Sequence, residues 1–346
     1  MFADPYSNMG NAYKDLGQLD NAIKCYTTAI KIRPGFADAY SNLASAYKDG
    51  GMLVEAIRCY RQALQLKPDF PDAFANLVHS LVFVCDWSER DADFVKLMKI
   101  VEQQLEREGA LPSVQPFHAL VYPINVRDMQ RLARRYAART RANVALLEMA
   151  PFRHVPRRAD IGERIHIAYV SSDLGNHPLS HLMQSVFGMH DQLKYKVTCY
   201  ALSPSDQSVW RRKIEQEVEC FKDISALSHG DAARLIHHDG VHVLVNLNGY
   251  TKGARNEIFA LRPAPIQAAY MGFCGTLGAD YVQYLFSDAT VIPPEHAPYY
   301  DEKLVNLPHS YFVNDYAQSC QYVPSRRPPA RRSAVTHGAV RSRNRP

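Results

Sequence analysis

The chain has 346 residues, enough for about two domains with cores of their own, and its 47% hydrophobic and 22% charged residues exclude wholesale disorder. Its formal net charge of +5 does not describe the body of the chain, because residues 326–346 hold seven Arg and no acid and so leave −2 for everything before them. Nucleic-acid binding by the folded part therefore has no electrostatic support, and the Pro/Arg/Ser-rich tail over 317–346 is expected to be disordered.

The seven Cys are scattered and include no Cys-x-x-Cys pair, which argues against a disulfide framework or a zinc ribbon and fits a reducing compartment. No stretch approaches the roughly 18 uninterrupted apolar residues of a membrane span. The first ten residues lack the basic and apolar segments of a signal peptide. A soluble, cytoplasmic or nuclear protein with no membrane partner is expected.

From the first residues onward the chain repeats itself at a spacing of 34. Tyr6, Tyr40 and Phe74 share one register; Asn8, Asn42 and Asn76 share another; Ala22/Ala56, Tyr26/Tyr60, Ala29/Ala63 and Pro34/Pro68 keep the same spacing. A 34-residue unit with small residues at helix crossings and a Pro at its end is the tetratricopeptide pattern. Gly17 and Gly51 fall where each helix pair needs a left-handed cap. Two full copies and the start of a third are few for such a stack, so either further repeats precede it or the array leans on the next domain. The recurring Asn8, Asn42 and Asn76 allow two readings: helix caps, or a column of amides that holds an extended peptide on the concave face.

Residues 83–162 read as a helical bridge and linker, with amphipathic helices over 89–108 and 126–149. Strands are then expected over 165–171, 195–202, 221–224, 241–247, 266–271 and 281–286, with helices over 206–218 and 230–238. That alternation over 163–316 predicts a mostly parallel, doubly wound sheet, in which ligands bind beyond the carboxyl ends of the strands. Two loops at such ends carry chemistry. The first holds Asp173, His177 and His181, where a carboxylate could orient an imidazole base; Pro178 lies between the histidines and no third ligand is near, so zinc is disfavoured. The second holds Gly249, Lys252, Gly253 and Arg255, a set suited to an anion such as a diphosphate. It is not a phosphate-binding loop of the Gly-x-x-x-x-Gly-Lys kind.

Three strings carry a resemblance: 248–257 (Asn-Gly-Tyr-Thr-Lys-Gly-Ala-Arg-Asn-Glu), 261–267 (Leu-Arg-Pro-Ala-Pro-Ile-Gln), and Val-Ser-Ser-Asp from Val170 with Gly-Asn-His-Pro-Leu-Ser-His-Leu-Met-Gln from Gly175. Together they resemble the protein O-linked N-acetylglucosamine transferases, with Leu179 and Pro116-Phe117-His118 closest to the plant and algal branch. The resemblance covers Tyr6 to about Tyr316. It implies tetratricopeptide helices followed by the first Rossmann-like α/β lobe of a two-lobe glycosyltransferase. The implied reaction is an inverting, metal-independent transfer from UDP-N-acetylglucosamine to protein Ser/Thr, with no cofactor. By position, His177 matches the essential active-site histidine and Asp173 an acid assigned to proton removal. Arg255 lies near the donor phosphates, and Met271 and Gly272 line the donor–acceptor groove. Cys274 departs from the family's Pro, and Val126 stands where the animal branch has His.

The implied second lobe is absent from the chain, so the 346 residues alone are expected to be inactive, and the tail reads as sequence from another frame or a retained intron. Implied partners are protein substrates held by the repeats, which also offer a surface for self-association. Fucose is an alternative donor sugar, and a repeat scaffold without catalysis is the alternative function.

Overall fold

The computed structural model describes residues 2–156 and 162–319. The expected disorder of the tail therefore falls outside the described residues, apart from the short helical turn α13 (Tyr316–Ser319) that enters it.

The 34-residue register becomes paired helices: α1 (Ala3–Asp15) with α2 (Leu19–Ile32), and α3 (Ala37–Asp49) with α4 (Leu53–Leu66). Ala22, Ala29, Ala56 and Ala63 are fully buried at the crossings, where the absence of bulk lets the backbones approach, and Tyr26 and Tyr60 fill the space between. Tyr26 lies over Gly10, where a Cβ would come within 2.8 Å of its ring Cδ1. Gly17 and Gly51 have φ of +73° and +77°. Each closes its helix with the same pair of bonds, Gly17 N–H to Lys14 O with Gln18 N–H to Tyr13 O, and Gly51 N–H to Lys48 O with Met52 N–H to Tyr47 O. This is a Schellman closure, which only a residue tolerant of positive φ forms without strain.

The repeat array does lean on its neighbouring helices. α5 (Pro71–Phe83) opens with Pro at its first turn and pairs with α6 (Arg90–Glu106). Phe74 and Val78 of α5 share one core with Phe94, Leu97 and Val101 of α6, with Tyr122 after the short α7 (Pro116–Ala119), and with Leu132 of α8 (Val126–Ala145). α8 starts where expected, capped by the Asn125 side chain on Asp128 N–H at 2.9 Å, and ends four residues early. It is bolted to the sheet domain: Gln130 and Arg134 both reach Asp301, and the Tyr250 hydroxyl donates to Ala133 O.

The sheet has seven parallel strands in the order β3-β2-β1-β4-β5-β6-β7. They are β1 (Ile165–Ser171), β2 (Tyr195–Ala201), β3 (Cys220–Asp223), β4 (Val243–Asn246), β5 (Ile266–Ala269), β6 (Tyr284–Ser287) and β7 (Lys303–Asn306). Alternation along β1 splits its side chains between two cores: Ala168 and Val170 face one with Tyr200, Leu244 and Ile258, while Tyr169 faces the other with Val197, Cys199 and Val245. Connecting helices are α9 (Pro178–Met183), α10 (Val209–Glu217), α11 (His229–His238) and α12 (Asn256–Ala260). The sixth expected strand begins at Tyr284 and not at residue 281, because Tyr281 and Val282 are spent on core packing before the pairing starts. β7 was not foreseen; four residues with two of them polar leave little pattern to read.

Candidate active site at the strand switch point

The strand order reverses between β1 and β4, which pair in register from Ile167–Val243 to Val170–Asn246. In a doubly wound sheet this is where the carboxyl-end loops diverge and leave a crevice. The two loops singled out by sequence, 171–181 and 246–255, lie side by side there.

They are tied together by amides. Asn248, 1% exposed, accepts from Ser172 N–H at 2.9 Å, and the two hydrogens of its Nδ2 are shared among Ser172 Oγ at 2.8 Å, Asp173 Oδ2 at 2.9 Å and Thr251 Oγ1 at 3.0 Å. Asn246 Oδ1 accepts from the backbone of Asn248 and Gly249, and its Nδ2 donates to Asn256, which in turn holds Gly249 O. Gly253, at φ +83°, lies so near Ser172 that a Cβ would come within 2.8 Å of its Oγ. Below the first loop, buried Arg211 donates to Leu174 O at 3.0 Å, and Asp206 accepts from Asn176 N–H at 2.6 Å. None of Ser172, Asn246, Asn248, Asp206 or Arg211 was picked out from sequence. The Asn-x-Asn that ends an apolar strand was the readable signal, since buried amides must find partners.

Asp173 is mostly buried, with Oδ1 taking the Ser172 hydroxyl at 2.8 Å and Oδ2 the Asn248 amide. Burial lifts its carboxyl above the ordinary range, against the opposing pull of these hydrogen bonds and of His177. His177 is half-exposed and caps α9: its Nδ1 accepts from Leu179 N–H at 3.2 Å. Its Nδ1 stands 3.8 Å from Asp173 Oδ2, beyond hydrogen-bond reach. The expected orienting bond from carboxylate to imidazole is thus not made. With Nδ1 an acceptor, the neutral ring carries its proton on Nε2 and offers the crevice a donor.

The remaining expected residues divide. Lys252 is exposed on the second loop. Arg255 is turned inward, donating to Ile224 O, Leu227 O and His229 Nδ1, so three of its five N–H groups serve the β3–α11 connection. Leu179 and Met271 are buried in the sheet's second core with Met183 and Leu247. Gly272 presses on the backbone of Leu247 and Asn248. His181 is exposed, its ring lies tilted by 37° against Trp210 at 4.2 Å, and it meets Asn176 Oδ1 at 3.1 Å. Cys274 is partly buried, and its carbonyl accepts the Tyr300 hydroxyl at 3.2 Å. Among the described residues no group of three His, Cys, Asp or Glu could hold a metal ion, and no helix is long and apolar enough to cross a membrane.

One repeat residue senses the charge of the second loop. Lys48 of α3 has its pKa lowered by burial first, and also by the charges of Lys14 and Lys252. Asn8, Asn42 and Asn76 occupy one register on α1, α3 and α5; Asn8 is exposed, while Asn76 Oδ1 takes the Lys48 ammonium at 2.6 Å and its Nδ2 donates to Asp72 O.

Residues 84–338 match glycosyl transferase family 41, and residues 10–51 and 37–70 match tetratricopeptide repeats. The family match thus runs past Ala317, where the resemblance was expected to stop. The chain is 50% identical over 250 residues to a probable UDP-N-acetylglucosamine–peptide N-acetylglucosaminyltransferase, SEC, of Arabidopsis thaliana, covering 71% of this chain and 26% of that protein. It is 48% identical over 244 residues to the UDP-N-acetylglucosamine–peptide N-acetylglucosaminyltransferase of Caenorhabditis elegans, covering 69% and 21%. The chain thus spans about a quarter of the length of these relatives. Its fold matches that of a Thermobaculum terrenum O-GlcNAc transferase mutant with a TM-score of 0.67 at 23% identity, over 90% of this chain and 58% of that one. The chain belongs to glycosyl transferase family 41.

Proposed function

We propose that this chain supplies the repeats and first lobe of an enzyme that transfers N-acetylglucosamine from UDP-N-acetylglucosamine to Ser/Thr hydroxyls of proteins. The observation that supports the reading is the joining of two strand-end loops at the β1/β4 switch point, one carrying Asp173 and His177 and the other Lys252. In the reaction the acceptor oxygen attacks the anomeric carbon, the bond from that carbon to the diphosphate oxygen breaks, and its electron pair leaves with UDP. The hydroxyl proton passes to a solvent water, and the anomeric centre inverts. Lys252 is the cation nearest to hand for the charge that grows on the diphosphate. Arg255 holds the loop in place with three N–H groups and has two left for a phosphate oxygen. His177 donates from Nε2 to the reacting groups, and Asp173 contributes fixed negative charge behind it.

Protein acceptors reach this crevice along the repeats, where Asn8, Asn42 and Asn76 hold the peptide backbone. We assign the reaction no cofactor and place it in the cytoplasm and nucleus, in keeping with the free cysteines among the described residues.

The test is a chimera in which residues 1–316 replace the matching part of the Arabidopsis relative, assayed with radiolabelled UDP-N-acetylglucosamine and a Ser-rich peptide. Transfer is expected, with a loss of roughly 10²–10⁴-fold on His177→Ala. A chimera that binds protein partners yet transfers nothing would make the chain a scaffold.

A further inference from the structure

The structure assigns Asn248 as the positioning residue of the Asp173–His177 pair: by holding Asp173 Oδ2, it keeps the carboxylate off His177 Nδ1 and so selects the imidazole tautomer that donates from Nε2. The inference deepens the proposed transferase reading and rests on it for its catalytic meaning.

The argument turns on one oxygen. Asp173 Oδ2 is both the atom that receives the Asn248 amide at 2.9 Å and the atom that faces His177 Nδ1 at 3.8 Å. A carboxylate oxygen free to turn would draw a proton onto Nδ1, because a charge-assisted N–H···O bond is stronger than the neutral Leu179 N–H···Nδ1 bond of 3.2 Å. The ring would then present an unprotonated Nε2, a base. As built, the carboxylate cannot turn without surrendering the Asn248 amide on Oδ2 and the Ser172 hydroxyl on Oδ1.

Asn248 itself has no freedom. It is 1% exposed, its Oδ1 is taken by Ser172 N–H, and its backbone N–H is held by Asn246 Oδ1 at 2.9 Å. The other charged or titratable groups packed here are Lys252, whose carbonyl lies 3.2 Å from the Ser172 hydroxyl; Asp206, on Asn176 N–H; His181, on Asn176 Oδ1; and Arg211, on Leu174 O. None of them bonds the Asp173 carboxylate or the His177 ring among the described residues. Asn248 is therefore the one side chain that touches both strand-end loops and the oxygen that decides the tautomer. A residue that only braced the loops would not need to choose that oxygen.

The experiment is ¹⁵N NMR of the histidine rings in the 346-residue chain, with the His177 signal identified by its loss in His177→Gln. Wild type is expected to show Nε2–H. Asn248→Ala, and the milder Asn248→Ser whose hydroxyl is too short to reach Oδ2, should shift the ratio toward Nδ1–H by about tenfold or more, the scale of one lost hydrogen bond to a charged group. Ser172→Ala, which removes the donor on Oδ1 and leaves the Asn248 amide on Oδ2, should shift the ratio far less than either Asn248 variant. Nδ1–H in the wild type overturns the assignment. So does an unchanged ring in either folded Asn248 variant, or a Ser172→Ala change as large as theirs. Because neither donor nor turnover is needed, failure here leaves the transferase reading standing, and an inactive chimera leaves this one standing.

Discussion

Gly272→Ala should unfold the sheet domain at a markedly lower temperature, and the size of the effect can be worked from the backbone. A Cβ at Gly272 would land inside the Leu247 carbonyl, 2.6 Å from its carbon and 3.1 Å from Asn248 Cα. All three contacts are main chain at the end of β4, so no rotamer change relieves them. Overpacking of this kind costs about 3 kcal/mol or more. For a unit of 150–250 residues that lowers the midpoint by about 6–12 °C. The strain also falls on the Asn248 backbone, and through its side chain on Asp173. Fluorescence of Trp210, against His181 in the same domain, follows the transition in a Trp87→Phe background. Gly35→Ala is the control: nothing lies within 4 Å of its added Cβ and its φ is not positive, so it should be neutral or stabilise by about 0.4–1 kcal/mol. A Gly272→Ala melt within about 2 °C of the parent would refute the reasoning.

His79 and His118 stack at 3.5 Å, and burial, helped by the charges of His118 and Lys48 at His79 and of Lys48 at His118, lowers their pKa values to about 3 and about 4. Between pH 6.5 and about 4 the unfolded chain then takes up protons that the folded one refuses, so stability falls as pH drops through that window. Urea unfolding of His79→Gln should show a flatter acid limb; an unchanged slope would mean that His79 protonates freely in the folded state. Asn76→Ala should destabilise the repeats by about 1 kcal/mol, because it removes the Lys48 bond. Asn42→Ala should cost less, while the triple change at Asn8, Asn42 and Asn76 should weaken acceptor-protein binding in a titration. Equal affinity of the triple variant would take the amides out of the groove.

What could be read in advance was local. The 34-residue register encodes helix crossings and caps in neighbouring residues, so Ala22, Tyr26 and Gly17 announce their roles. Strand ends were equally legible, because an apolar run that stops at Ser171 or Asn246 marks where a loop must begin. What escaped depends on partners far along the chain. Arg255 read as a phosphate ligand, while its bracing bonds to carbonyls about thirty residues upstream could not be read. The i, i+4 spacing of Asp173 and His177 suggested a bonded pair. Pro178 instead starts a helix, makes His177 its cap and turns Nδ1 to Leu179 N–H. The burial of Leu179 and Met271 in one core with Met183 and Leu247 likewise depends on distant partners.

The central claim places the sugar-nucleotide crevice at the β1/β4 switch point, and a backbone-amide NMR titration of the chain with UDP-N-acetylglucosamine tests it most directly. The account predicts shifts concentrated at Ser172, Asn176, His177, Lys252 and Gly253, and lost together on Lys252→Ala. Shifts that instead gather in the groove of about 880 Å³ between α6 and the start of α8, near Phe94, Met98 and Ile124, would contradict it.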